Sequence, residues 1–180
     1  MCAVKDVLHP RLPTSATVLA VNVSRGGLPK QPVNTAHVDK NGLCGDGHEH
    51  EKHRRPDRAV TIQDIELLDE IRLEGFPVAP GLMGENLTVG GLDVQSLSPG
   101  DRLVFGSGPV LELTQARKPC YVLDQIDPKL KEIVVGRCGF LARVVQPGDL
   151  QPGQVITVER AGLPPCDGNR DKQQPADSHA

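Results

Sequence analysis

The chain has 180 residues, 38% of them hydrophobic and 24% charged, which is enough for one compact domain with a real core. A net charge of -3 gives no general attraction to nucleic acid or an anionic membrane, and 2% aromatic residues provide no row of rings on which bases could stack. The sequence contains no apolar run near the roughly 20 residues of a membrane span and no apolar stretch of signal-peptide length at its N-terminus, and its five cysteines are irregularly spaced, so we expect reduced thiols and a cytoplasmic location.

Residues 1–15 carry little pattern and read as a flexible leading segment. Thr17–Val23, TVLAVNV, is a β-branched run expected to form a buried strand, followed by the loop SRGGLPKQPV. Ala36–Asp39 reads as a second strand, leading into the polar stretch GLCGDGHEHEKHRRPDR, and Ala59–Ile62 is apolar again. Over 63–74 the period changes: Ile65, Leu68 and Ile71 recur every third residue, with Gly75 suited to a helix C-terminus. A brief strand is expected through Asn86–Val89. LSPGDRLVFG (97–106) and LQPGQVITVE (150–159) each place a Pro-Gly turn before a strand, which we read as recurring turn chemistry rather than a duplicated domain. Val110–Gln115 alternates apolar and polar residues as a half-buried strand does, Cys120–Val135 has room for a short helix or two interrupted at Pro128, and Gly139–Val145 reads as a strand. Beyond Arg160 the chain is polar and rich in Pro, Asp and Gln, so 161–180 reads as a disordered tail and 16–160 as a single domain. Nineteen glycines, sixteen prolines and many short strands predict a mainly β fold, a closed or nearly closed barrel with a few short helices.

Several stretches carry residues able to do chemistry. Cys120 follows Pro119 at the end of an alternating strand, beside Arg117 and Lys118. Cations, and a helix N-terminus if Cys120 opens one, favour thiolate over thiol, and a thiolate attacks electrophiles, carries sulfur or ligates a soft metal; the other reading is a small buried hydrophobe. Ser24–Lys30, SRGGLPK, offers backbone N–H groups, a hydroxyl and two cations, an inventory suited to an anion or simply to a surface turn. Glu85 and Asn86 stand where a strand begins, able to read a donor–acceptor edge such as that of a pterin or purine, or to brace a turn. Cys44, His48, His50 and His53 are zinc-type donors, but their spacing matches no common structural zinc signature and the segment reads as a solvated polar loop. Cys138, in GRCG, is either a resolving thiol or core, and we favour core.

Taken in order, SRGGLPK (24–30), GLCGDGH (42–48) with His53 and Arg58 following, GENLTVGGL (84–92), PGDRL (99–103), LELTQARKPC (111–120) and the closing GFLARVV…GDLQPGQ (139–154) resemble the MOSC domain, the module named after the C-terminal region of molybdenum cofactor sulfurases. The resemblance spans about 20–158 and is nearest to small stand-alone bacterial members of the family. It implies a β-rich, barrel-like fold whose cleft ends at a cysteine, here Cys120, that ligates molybdenum carried by a pterin cofactor. By the same resemblance Glu85 and Asn86 face the cofactor, Arg117 lies on the strand leading to the ligand, and Ser24, Lys30, Asp46 and His48 line the cleft.

The function this implies is reduction of N-hydroxylated small molecules, with electrons from a separate protein because the chain has no flavin or iron–sulfur signature. The alternative is a carrier of sulfur, persulfide or the cofactor itself, serving a cofactor-handling enzyme through the same Cys120 without turnover of its own. Neither nucleic acid nor a membrane is an expected partner.

Overall fold

In the computed structural model, residues 15–47 and 55–162 are described. The expected leading segment 1–15 and tail 161–180 therefore lie almost wholly outside the described residues, as do His48, His50 and His53. Eleven strands and two α-helices follow one another as β1 (Thr17–Val23), β2 (Gln31–Val33), β3 (Ala36–Asp39), β4 (Gly42–Leu43), β5 (Val60–Asp64), α1 (Ile65–Leu73), β6 (Leu87–Gly90), β7 (Arg102–Phe105), β8 (Val110–Ala116), α2 (Leu130–Ile133), β9 (Phe140–Gln146), β10 (Gly148–Leu150) and β11 (Ile156–Glu159).

Eight strands form one sheet in the order β11-β7-β8-β9-β5-β6-β1-β2, and β10, β3 and β4 form a second. Only β5 and β6 run parallel, because α1 carries the chain back between them. The two Pro-Gly segments end up side by side: β7 and β11, each following one of those turns, pair antiparallel from Phe105–Ile156 to Arg102–Glu159.

The expected closure into a barrel is not found; the main sheet is open, with β11 and β2 at its edges. Closure is approached at one point. Thr17 bridges Val155, the Val18 N–H donates to the Gln154 carbonyl at 2.9 Å, and the Ile156 N–H donates to the Ala16 carbonyl at 2.8 Å. These contacts do not extend into a ladder, because β6 takes one side of β1 and β2 takes Val21–Val23 on the other. Only the first residues of β1 remain for the turn before β11.

The apolar interior divides in two. The larger cluster takes inward residues of the sheet, among them Ile62, Leu87, Leu103, Phe105, Leu111 and Leu113, all 1% exposed or less. Burying each such side chain favours folding by roughly 1.5–3 kcal/mol. The second cluster lies under α1, where Leu68 and Ile71 meet Val78, Met83, Leu123, Leu130, Val134 and Cys138. Asp64 caps α1, accepting from the Leu67 N–H at 3.2 Å. At the other end Gly75 adopts φ +99°, and the N–H groups of Gly75 and Phe76 close onto the Arg72 and Ile71 carbonyls. Cys138 is 1% exposed and its Sγ donates to the Val134 carbonyl at 3.4 Å, so it is core.

Candidate functional site

β8 and its continuation deliver the thiol. The Arg117 N–H donates to the Gly139 carbonyl at 2.9 Å, prolonging the β8–β9 pairing one residue beyond the strand. Pro119 then ends the ladder, since it has no N–H to give. Cys120, with extended backbone angles of φ -117° and ψ 154°, heads a 3-10 turn over Tyr121–Gln125, and its carbonyl accepts from the Leu123 N–H. Leu123 is 1% exposed in the second apolar cluster and anchors that turn. The thiol is thus fixed between a strand end and a packed turn, partly exposed.

It stands on the wall of a cavity of about 470 Å³. Six segments meet there: the loop after β1, Gly47 beyond β4, the turn Pro56–Arg58 with Thr61 of β5, Gly84 and Asn86 ahead of β6, the stretch from Gln115 to Val122, and Leu141 of β9. Four cations line it: Lys30, Arg58, Arg117 and Lys118. Of these, Lys30 is ion-paired with Asp46 and Arg58 lies 3.7 Å from Asp57, whereas Arg117 and Lys118 have no carboxylate within ion-pair distance among the described residues.

Arg117 is held for use elsewhere. Its Nη2 donates to the Met83 carbonyl at 2.6 Å, while Nη1 is buried with no hydrogen-bond partner among the described residues. Leaving a guanidinium donor buried and unpaired costs free energy, and such groups call for an explanation such as a missing ligand. Gly84 makes room for the guanidinium. With φ +85°, it has the conformation that L residues avoid, and a Cβ there would stand 3.2 Å from Arg117 Nη2 and 2.9 Å from Leu28 Cδ2.

Asp46 organises the opposite wall from behind. Its Oδ1 accepts from the Ser24 N–H at 2.9 Å, and its Oδ2 accepts from Lys30 Nζ and from Asn86 Nδ2, the latter at 2.8 Å. Asn86 spends its amide inside the protein: Oδ1 accepts from the Thr61 N–H and hydroxyl, and Nδ2 also donates to the Asn22 carbonyl. Ser24 Oγ donates to the Gly27 carbonyl at 2.9 Å and accepts from the Gly26 N–H, folding the glycine loop over the cavity. Burial lowers the Lys30 pKa, an effect opposed by Asp46.

The residues expected from sequence thus fall into three groups. Ser24, Lys30, Asn86, Arg117 and Cys120 come together on the cavity wall. Asp46 lies behind Lys30, its side chain 1% exposed, and Glu85 is fully buried; neither is on the lining. Glu85 Oε1 accepts from the Gly81 N–H and from Thr88 Oγ1, Oε2 has no partner among the described residues, and burial pushes its pKa up. His48 lies outside the described residues; Cys44, from the same polar segment, is exposed on the turn after β4. Sequence reasoning did not single out Thr61, Gln115, Val122 and Leu141, and Arg58 entered only as part of a motif. Pro56, at the head of the turn carrying Arg58, was a usable signal for that residue.

With this geometry in place, comparison with known proteins defines the class. The MOSC domain family profile matches residues 49–157, and the chain belongs to that family. It is 31% identical over 137 residues to the uncharacterized protein YflK of Bacillus subtilis, covering 71% of this chain and 60% of YflK. It is 28% identical over 125 residues to a protein of Gibberella moniliformis named "Reductase", covering 65% of this chain but 22% of that one. The chain therefore spans at most about three fifths of these relatives. Among solved structures, the YuaD protein of Bacillus subtilis superposes with a TM-score of 0.69 at 25% identity, covering 81% of this chain and 96% of its own. YuaD is also named a putative metal-sulfur cluster biosynthesis protein. YiiM of Geobacillus stearothermophilus superposes with a TM-score of 0.67 at 26% identity, covering 82% and 77%. Among the described residues no helix is long and apolar enough to cross a membrane.

Proposed function

We propose that this chain binds a molybdenum cofactor in the Cys120 cavity and reduces N-hydroxylated small molecules with electrons from a separate electron-transfer protein. One observation carries the reading: a partly exposed thiol shares a cavity with four cations, one of which, Arg117, has a buried donor without a partner among the described residues. The donor set fits the group. Thiolate sulfur is a soft ligand for a heavy metal, and guanidinium and ammonium groups complement the phosphate of a pterin cofactor. In this reading Cys120 Sγ ligates the metal, while Arg117, Lys118 and Arg58 meet the anionic groups. Ser24 closes the glycine loop above them. Asn86, its amide already engaged, shapes the wall rather than reading a ring edge.

When bound, the group supplies two-electron transfer at a Lewis-acidic centre. The overall conversion is R–NHOH with two electrons and two protons to R–NH2 and water, so the N–O bond breaks and one N–H bond forms. Protein made in a host with an intact cofactor pathway is expected to hold about one molybdenum atom per chain and to lose it on Cys120→Ser. Metal-free wild-type protein from that host overturns the reading.

The name carried by YuaD favours a second reading, in which Cys120 carries sulfur for another enzyme. It predicts a persulfide on Cys120 by mass spectrometry, lost on reduction, with no reductase turnover from any electron donor.

A further inference from the structure

We infer that Lys30 is the proton donor of the site, delivering a proton to the oxygen that departs from nitrogen, and that Asp46 is its positioning residue; this rests on the reductase reading above. Breaking an N–O bond with two electrons leaves an oxygen that must be protonated to depart as water. Three of the cavity's cations are poorly suited to supply that proton. Arg58 and Arg117 are guanidinium groups that keep their protons throughout the accessible pH range. Lys118 is exposed to solvent.

Lys30 differs on each count. It lines the cavity, yet its side chain is only 12% exposed, and its Nζ is held by Asp46 Oδ2. Asp46 is fixed in turn by the Ser24 N–H and by Asn86 Nδ2, so the ammonium has one resting place on the wall. The groups acting on it are Asp46 from the turn after β4, Arg117 from beyond β8 and Glu85 from before β6. Burial and Arg117 weaken its hold on the proton, while Asp46 and Glu85 strengthen it. An amine so placed can release a proton at the moment the oxygen leaves and recover one from solvent. The electrons come from the separate donor protein, so the step balances without any oxidant.

The test uses holoprotein from a cofactor-competent host, with a hydroxylamino-purine as substrate. Lys30→Arg keeps the charge but removes the transferable proton; it is expected to retain the molybdenum content of the wild type while kcat falls by about 10²–10⁴-fold. Asp46→Asn is expected to move the alkaline fall of kcat to lower pH, because the carboxylate that stabilises the ammonium is gone. A readout independent of the cofactor is the pH dependence of Lys30 acetylation by acetic anhydride, followed by peptide mass spectrometry against a free lysine-containing peptide in the same reaction. Lys30 is expected to titrate at lower pH than that peptide, because burial lowers its pKa. Full turnover in Lys30→Arg overturns the inference, as does loss of metal in that variant, which makes the lysine a cofactor anchor, or a Lys30 titration matching the free lysine peptide. Wild-type holoprotein without turnover overturns the reductase reading and this inference together.

Discussion

The Arg117 guanidinium lies against Gly84, so closely that a methyl group on that residue would stand 3.2 Å from Nη2. The same arginine donates to the Met83 carbonyl one residue earlier, so the loop ahead of β6 and the end of β8 are locked across the cavity. Gly84→Ala strains a φ of +85° and displaces Leu28 or Arg117. The expected cost is about 2–3 kcal/mol, and on the cofactor reading proposed above the variant loses its molybdenum. Gly136→Ala, at φ +75° with nothing within 4 Å, is the control; it carries the backbone strain alone, about 1–2 kcal/mol, and keeps the metal. Thermal unfolding with elemental analysis of both variants checks this. Equal metal content in the two would show that Arg117 has slack at this contact.

Asp64 couples stability to pH. Burial raises its pKa from 3.8 to about 6 while it caps α1. The folded state therefore holds this proton more tightly than the unfolded chain. The stability it contributes is fully present below 3.8 and is lost as pH rises through about 6. The loss amounts to at most about 3 kcal/mol. Asp64→Asn keeps a capping acceptor and cannot ionise. Urea unfolding at about pH 4 and pH 7 should show the wild type losing stability where the variant does not; parallel losses would remove Asp64 as the source.

Glu85 is required as an acceptor rather than as a charge. Glu85→Gln retains an oxygen for the Gly81 N–H and replaces a carboxyl whose charged form burial disfavours, so it is expected to be neutral or stabilising at neutral pH. Glu85→Ala leaves the Gly81 N–H and the Thr88 O–H without an acceptor in the interior, although the Thr88 oxygen still accepts from Asn22 Nδ2, and should cost about 1–3 kcal/mol. Denaturant midpoints decide the matter, and a Gln variant as unstable as the Ala variant would make the charge essential.

The described thiols should separate by exposure. Cys44 is exposed and Cys120 partly so, whereas Cys138 is 1% exposed and burial pushes its pKa up. Iodoacetamide on native protein, followed by peptide mass spectrometry, should label Cys138 at least about ten-fold more slowly than Cys120. The difference should vanish on unfolding. Equal native rates would mean that the second apolar cluster opens readily.

The strands with clear periodicity were legible residue by residue. Thr17–Val23 forms a strand with those very ends, because a β-branched run bounded by a glycine loop leaves little choice. Ile65, Leu68 and Ile71 announced α1, with Asp64 and Gly75 closing it. By contrast β2, β4 and β10 are three, two and three residues long, too short for any period to show. Their pairing partners, not their own residues, make them strands. The open sheet was out of reach for a related reason: whether β1 closes onto β11 depends on which neighbours already occupy its two edges.

The site divides along the same line. Sequence alone fixed that Cys120 follows a strand, a proline and two cations, because those are covalent neighbours. It could not tell that Asp46 serves Lys30, that Asn86 is spent on Thr61, or that Arg58 faces the thiol's cavity. These relations join residues 16, 25 and more positions apart. Packing alone sets such distances: hydrogen bonds and ion pairs act over a few ångströms, and the chain's own connectivity leaves open which distant segments come that close.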